Sequence, residues 1–144
     1  MLSGALEKYD GIRWILAHAG GFLPYISHRV LLTMLRGEQK LSRARAMIDR
    51  KREVEKRMAL LRRFYFDIAL SSSPMALPSL LAFAEPGRVL YGSDFPFAPA
   101  PAVRFMRREY DDVPLEEAVR TAIDHRNATA LFPRFAPSQI GHAS

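Results

Sequence analysis

Three short apolar runs, each closed by small or polar residues, alternate along the chain with stretches of helical periodicity. Arg13-Trp14-Ile15-Leu16-Ala17 leads into His18 and the pair Gly20-Gly21, the pattern of a buried parallel strand entering a loop. Pro24 suits a first helical turn, and Ile26, Val30, Leu31 and Met34 then recur at helical spacing as far as Gly37. Residues 42–62 are strong helix formers, with Ala46, Met47, Val54, Met58 and Leu61 as one loose apolar stripe among charges. Residues 64–70 read as a second strand, closed by Ser71-Ser72-Ser73-Pro74, whose hydroxyls suit a helix cap. A helix over 75–83 ends at Glu85-Pro86-Gly87, and Arg88-Val89-Leu90-Tyr91 is the third strand. Gly92-Ser93-Asp94 lies at its C-terminal end, before a proline-rich loop over 95–101. Helices are predicted over 102–110, over 114–124 with Glu116 and Glu117 in the favourable first turn, and over 127–132.

Strands alternating with helices predict an α/β fold with a parallel sheet, although three strands are few for a sheet covered on both faces. With 144 residues, 49% of them hydrophobic, the chain suffices for one domain, expected over 1–135, followed by a flexible tail over 136–144. There is no cysteine, so a transition-metal site must use histidine and carboxylates. No run approaches the roughly 18–20 apolar residues of a membrane span, and the N-terminus has neither a basic nor an apolar targeting region. A soluble, cytoplasmic protein without membrane partners is expected. The net charge of +6 comes almost wholly from residues 36–63, which hold 11 Lys and Arg against 4 Asp and Glu. That segment is read mainly as the wet face of the long helix.

In parallel α/β folds functional groups collect where strand C-termini converge. His18 and Asp94 both occupy that position. Neutral imidazole and carboxylate are suitable ligands for a divalent ion, which turns bound water into a hydroxide nucleophile near neutral pH, while a carboxylate accepts the proton. Asp94 is therefore a candidate both as ligand and as catalytic base. Gly20 and Gly21 permit positive φ and close approach of backbone to ligand. Phe22, Phe95 and Phe97 are candidates for the substrate pocket. The remaining histidines, His28, His125 and His142, are read as structural or surface groups, and Ser71 to Ser73 lack the glycine elbow of a nucleophile.

These residues fall into four ordered motifs: His18-Ala19-Gly20-Gly21-Phe22-Leu23-Pro24, Phe64-Tyr65-Phe66-Asp67, Arg88-Val89-Leu90-Tyr91-Gly92-Ser93-Asp94-Phe95-Pro96-Phe97, and Asn127-Ala128-Thr129-Ala130-Leu131-Phe132. Over residues 14–132 they resemble the C-terminal portion of the amidohydrolase-related (amidohydrolase 2) family, which includes decarboxylases of the aminocarboxymuconate-semialdehyde type. The resemblance implies a partial (β/α)8 TIM barrel in which His18 and Asp94 bind a divalent metal, zinc first and manganese second. It implies hydrolysis or decarboxylation of a small carboxylated or cyclic substrate. The family's opening His-x-His metal motif has no counterpart here, so the site is expected to need a missing N-terminal half-barrel or a homo-oligomer. The catalytic histidine that the family's decarboxylases carry after the Phe-Asp strand is replaced by Ile68-Ala69-Leu70-Ser71.

Two other readings compete. One is an inactive, truncated pseudoenzyme whose open sheet edges favour pairing or aggregation. The other is a nucleic-acid-binding protein using the basic helix, which the interleaved acidic residues and the absence of any recognition motif disfavour.

Overall fold

The structure is a computed structural model that describes residues 5–35 and 43–136, with side chains described at 5–32 and 51–136. Gly37, His142, all but the first residue of the expected tail, and the side chains of Met34, Ala46 and Met47 lie outside the described residues. In chain order the elements are α1 (Ala5–Lys8), β1 (Ile15–Leu16), α2 (Leu23–Leu35), α3 (Arg43–Arg62), β2 (Tyr65–Asp67), α4 (Leu77–Phe83), β3 (Val89–Leu90), α5 (Ala100–Asp111), α6 (Glu117–Thr121) and α7 (Asn127–Leu131). The strands form a parallel sheet in the order β1-β2-β3, with helices in every crossover, as the alternating pattern predicts. Leu16 stands opposite Phe66, and Phe66 opposite Val89.

All three strands are shorter than the apolar runs that announce them. Pairing continues past their ends as single bonds: the Tyr65 N–H donates to the Trp14 carbonyl at 2.8 Å, and the Ile68 N–H to that of Leu90 at 3.0 Å. β2 stops at Asp67 rather than at residue 70 because the Asp67 side chain takes over the next backbone donor. Its Oδ1 accepts the Ala69 N–H at 3.0 Å, and Leu70 then turns out of the sheet with a φ of 51°. The predicted serine cap is not formed, since Ala76 is the N-cap of α4 and has no side-chain cap bond; the Ser73 Oγ instead accepts the Ala76 N–H at 3.3 Å in the turn ahead of the helix.

Burial follows the pattern on β2 and β3 but not at β1, where Trp14 just before the strand and Ile15 within it are 44% and 43% exposed because β1 is an outer strand of the three-stranded sheet. Phe66, Ile68, Leu77, Leu80 and Val89 are at most 1% exposed, and the Phe66 ring meets that of Phe83 edge to face at 5.8 Å. From α3, Met58 and Leu61 are buried and Val54 packs against them, so the predicted stripe holds where it is described. On the wet side of the same helix Arg57 hydrogen-bonds Glu53, and Lys51 lies 4.0 Å from Glu55.

The predicted helices over 114–124 and 127–132 are one run, from α6 through a π-helical turn (Ala122–Arg126) into α7. The Ile123 carbonyl within that turn accepts the Tyr91 N–H at 2.9 Å, a bond from outside the helix of the kind that accompanies a widened turn. Asn127 then donates to the carbonyls of Pro86 at 2.9 Å and Val89 at 2.8 Å. Its buried amide thus fastens the C-terminal helices to the outer side of β3.

Tyr110, 0% exposed, is the hub of this second layer. Arg120 lies over its ring at 4.8 Å and Arg107 at 5.2 Å, while Arg120 donates to the carbonyls of Tyr110, Asp111 and Val113. The Tyr110 hydroxyl has no partner of hydrogen-bonding geometry among the described residues, and Asp124 acts on it through charge. Burial first and Asp124 second push the phenol from its ordinary 10.0 up to about 12, against Arg120 and Arg107, which pull it down. Folding therefore favours the neutral phenol. That contribution, about 2–3 kcal/mol at 1.4 kcal/mol per unit, is fully present below pH 10 and is lost as pH rises through 12. Urea titrations across this window should show the loss in the native chain and a flatter profile in Tyr110→Phe. Equal losses in the two proteins would refute it.

Candidate metal centre

Asp67 is the last residue of β2, and His18 and Asp94 follow the C-terminal ends of β1 and β3 in the loops just beyond them. Immediately after β1 the chain makes a tight left-handed turn. His18, Ala19, Gly20 and Gly21 have φ values of 55°, 57°, 72° and 61°, and the turn closes through Gly20 N–H to the Ala17 carbonyl (3.0 Å) and Gly21 N–H to that of His18 (2.9 Å). Gly20 is required on two counts: its φ is left-handed, and a Cβ there would stand 3.0 Å from two carbons of the Phe66 ring. Phe66 is therefore the floor on which the histidine turn sits.

Asp67 anchors the turn. The same Oδ1 that ends β2 also accepts the backbone N–H of His18 at 3.0 Å, and the His18 Nδ1 lies 3.0 Å from the Ala69 carbonyl. A carbonyl only accepts, so Nδ1 carries the proton and Nε2 of the neutral ring keeps its lone pair. This is the arrangement of a metal-binding histidine, whose far nitrogen is oriented by a hydrogen bond to backbone. On the other side of Asp67, a Cβ at Gly92 would lie 3.0 Å from the Asp67 Cβ, so the glycine before Asp94 gives the carboxylate room. One side chain on the central strand thus supports the turn that carries His18 and packs against the segment that carries Asp94. Asp67 belongs to a motif that sequence reasoning singled out without assigning it a role. The available signal was its position, since it ends the middle strand as His18 and Asp94 follow the outer two.

Asp94 has a φ of 59°, and the turn after it closes through the Ala98 N–H to its carbonyl at 2.7 Å. The Ser93 Oγ accepts the Phe95 N–H at 3.3 Å, and the Phe95-Pro96 peptide is cis. Among the described residues, no hydrogen bond or ion pair engages the Asp94 carboxylate. Its strand and that of His18 are separated by β2, about 10 Å at the usual strand spacing. Phe22, Phe95 and Phe97 lie on the loops at this end, 79%, 67% and 90% exposed.

The donors fit a divalent ion in kind: one imidazole nitrogen with an available lone pair and one carboxylate. In number they fall short, because the described residues hold no cluster of three His, Cys, Asp or Glu groups that could bind a metal. His28 is exposed on α2, and His125 lies in the π turn. No helix among the described residues is long and apolar enough to cross a membrane.

Comparison with known proteins agrees with this layout. Residues 1–134 match the family described as Amidohydrolase. The chain is 40% identical over 136 residues to a 6-methylsalicylic acid decarboxylase of Penicillium expansum, covering 93% of this chain and 39% of the relative. Among solved structures it is similar to 5-carboxyvanillate decarboxylase from Sphingomonas paucimobilis, with TM-score 0.65, 25% identity, and coverage of 92% of this chain and 37% of that one. A dihydroxybenzoic acid decarboxylase from Polaromonas sp. JS666, solved with manganese and the inhibitor 2-nitroresorcinol, shares the fold at TM-score 0.67 and 23% identity, with the same coverages. The chain spans about 39% of the length of the curated relatives it matches first. On the match over residues 1–134, with histidine and aspartate at the strand ends, this chain belongs to the amidohydrolase family.

Proposed function

We propose that the chain forms the C-terminal part of a (β/α)8 barrel and serves a metal-dependent carboxy-lyase that removes carbon dioxide from a small aromatic carboxylic acid. The observation that carries the metal reading is the 3.0 Å contact of the His18 Nδ1 with the Ala69 carbonyl, which orients the ring so that Nε2 is the nitrogen left to donate to an ion at the same sheet end as Asp94. The manganese in the Polaromonas decarboxylase supports a divalent ion, zinc or manganese. The reaction class is supported by the 40% identity to the 6-methylsalicylic acid decarboxylase. Two protein ligands are fewer than the three of an ordinary catalytic zinc site. In this reading a second copy or a further part of the barrel supplies the rest.

The bound ion would contribute positive charge that holds and polarises the substrate's oxygens. The reaction breaks the bond between ring carbon and carboxylate, the carboxylate leaves as carbon dioxide, and the ring carbon takes up one proton. Ile68-Ala69-Leu70-Ser71 offers no acid for that proton, so Asp94 is the group assigned to carry it at a carboxyl oxygen. Phe22, Phe95 and Phe97 are assigned to the ring of the substrate, their exposed faces being covered once it binds.

Dialysis against manganese or zinc, followed by elemental analysis, tests the ligands directly. His18→Ala and Asp94→Asn should each lower the affinity for bound metal at least tenfold. If both variants retain as much metal as the native chain, the site is refuted. Release of carbon dioxide and the corresponding methylphenol from 6-methylsalicylate tests the reaction separately. Metal bound by both ligands without any turnover would support the inactive reading instead.

A further inference from the structure

At the N-terminal end of the sheet, away from His18 and Asp94, the segments leading into the three strands enclose a cavity of about 150 Å³. Arg13 and Trp14 precede β1, Arg63 precedes β2, and Arg88 precedes β3, so three guanidinium groups far apart in sequence share one wall. One carboxylate, Asp10, lies with them. Among the described residues none of these four side chains takes part in an ion pair.

The arginines are placed by the fold rather than by counter-charges. Arg63 donates to the carbonyls of Leu6 at 3.4 Å and Asp10 at 3.0 Å, tying the N-terminal segment to β2. Arg88 donates to the Arg63 carbonyl at 2.9 Å while its guanidinium lies 4.8 Å from the centre of the Tyr65 ring. Each guanidinium has five N–H groups, so most donors of all three remain uncommitted. Trp14, 44% exposed, gives the same cavity a flat apolar surface. Three positive groups against one negative, at the rim of a low-dielectric wall, make a local field that attracts anions.

We propose that this cavity binds a small monocyclic organic anion, its acid group held by Arg13, Arg63 and Arg88 and its ring set against Trp14. Size restricts the ligand. The volume corresponds to about five waters and lies well below the roughly 300 Å³ at which drug-sized pockets begin, so one ring with one acid group fits and a nucleotide does not. The site is independent of the metal-end chemistry and does not depend on the reaction assigned there.

Calorimetry on the 144-residue chain, with EDTA present to suppress metal binding at the other end, tests the proposal with benzoate as the probe and benzyl alcohol as its neutral counterpart. Benzoate should bind and benzyl alcohol should bind at least tenfold more weakly. Arg13→Glu and Trp14→Ala, both at exposed positions, should each weaken benzoate at least tenfold, whereas His18→Ala and Asp94→Asn should leave it unchanged. Equal binding of the two probes, indifference to Arg13→Glu, or loss of binding in Asp94→Asn rather than Arg13→Glu would each overturn the assignment.

Discussion

Replacing Phe66 with alanine is expected to destabilise the fold by about 3–5 kcal/mol, read as the shift of a urea denaturation midpoint at unchanged slope. The residue is 0% exposed, stands opposite Leu16 on one side and Val89 on the other, and meets Phe83 edge to face. Removing it takes away the transfer energy of the ring and leaves a cavity that short strands, each fixed by few ladder bonds, fill poorly. A second consequence separates this position from any other core phenylalanine. Gly20 sits against the Phe66 ring, so the cavity opens directly beneath the histidine turn. Phe66→Leu, which keeps most of the floor, should recover much of the stability and the metal affinity together. A cost below about 1 kcal/mol for Phe66→Ala would show that the sheet centre is not the core of this protein.

The second large effect concerns the carboxylate on the middle strand. Asp67→Ala should cost about 2–4 kcal/mol, since one Oδ1 accepts the N–H groups of both His18 and Ala69; hydrogen bonds to a charged acceptor contribute about 1.5–3 kcal/mol each, and two that share one oxygen add less than fully. Asp67→Asn keeps an oxygen acceptor at the same place and should cost about 1 kcal/mol. The pair of variants distinguishes positioning from mere packing. If Asp67 acts by holding the turn, metal affinity falls severalfold in the alanine variant and recovers in the asparagine variant. If both variants lose metal equally while remaining folded, the negative charge itself is what matters, and Asp67 is a ligand rather than a support.

What could be read from the chain and what could not divide along a physical line. The three strands, their alternation with helices and the positions of His18 and Asp94 were legible because they rest on local pattern: an apolar run that stops, followed by glycine and a polar residue. The lengths of the strands were not, because β2 ends through a side-chain hydrogen bond at Asp67 whose second partner lies 49 residues away. The merged C-terminal helix was hidden for the same reason, since its π turn accompanies the bond from Tyr91, an atom outside the helix. Charge misdirected attention in a similar way. The basic segment over 36–63 stands out in the sequence, but of the three arginines that share the N-terminal cavity two, Arg13 and Arg88, lie outside it. Phe22, Phe95 and Phe97 were legible as neighbours of His18 and Asp94 along the chain, and their 79%, 67% and 90% exposure could not have been inferred from composition.

Left-handed backbone at His18, Leu70 and Asp94 sets a trade-off between durability and chemistry. That conformation costs most side chains about 1–3 kcal/mol, least for asparagine and aspartate and nothing for glycine. A laboratory selection for heat tolerance alone would therefore drift towards glycine or asparagine at all three positions. At Leu70 the exchange removes no donor. At His18 and Asp94 the hardier protein would be the one that has discarded the two side chains proposed to hold the metal.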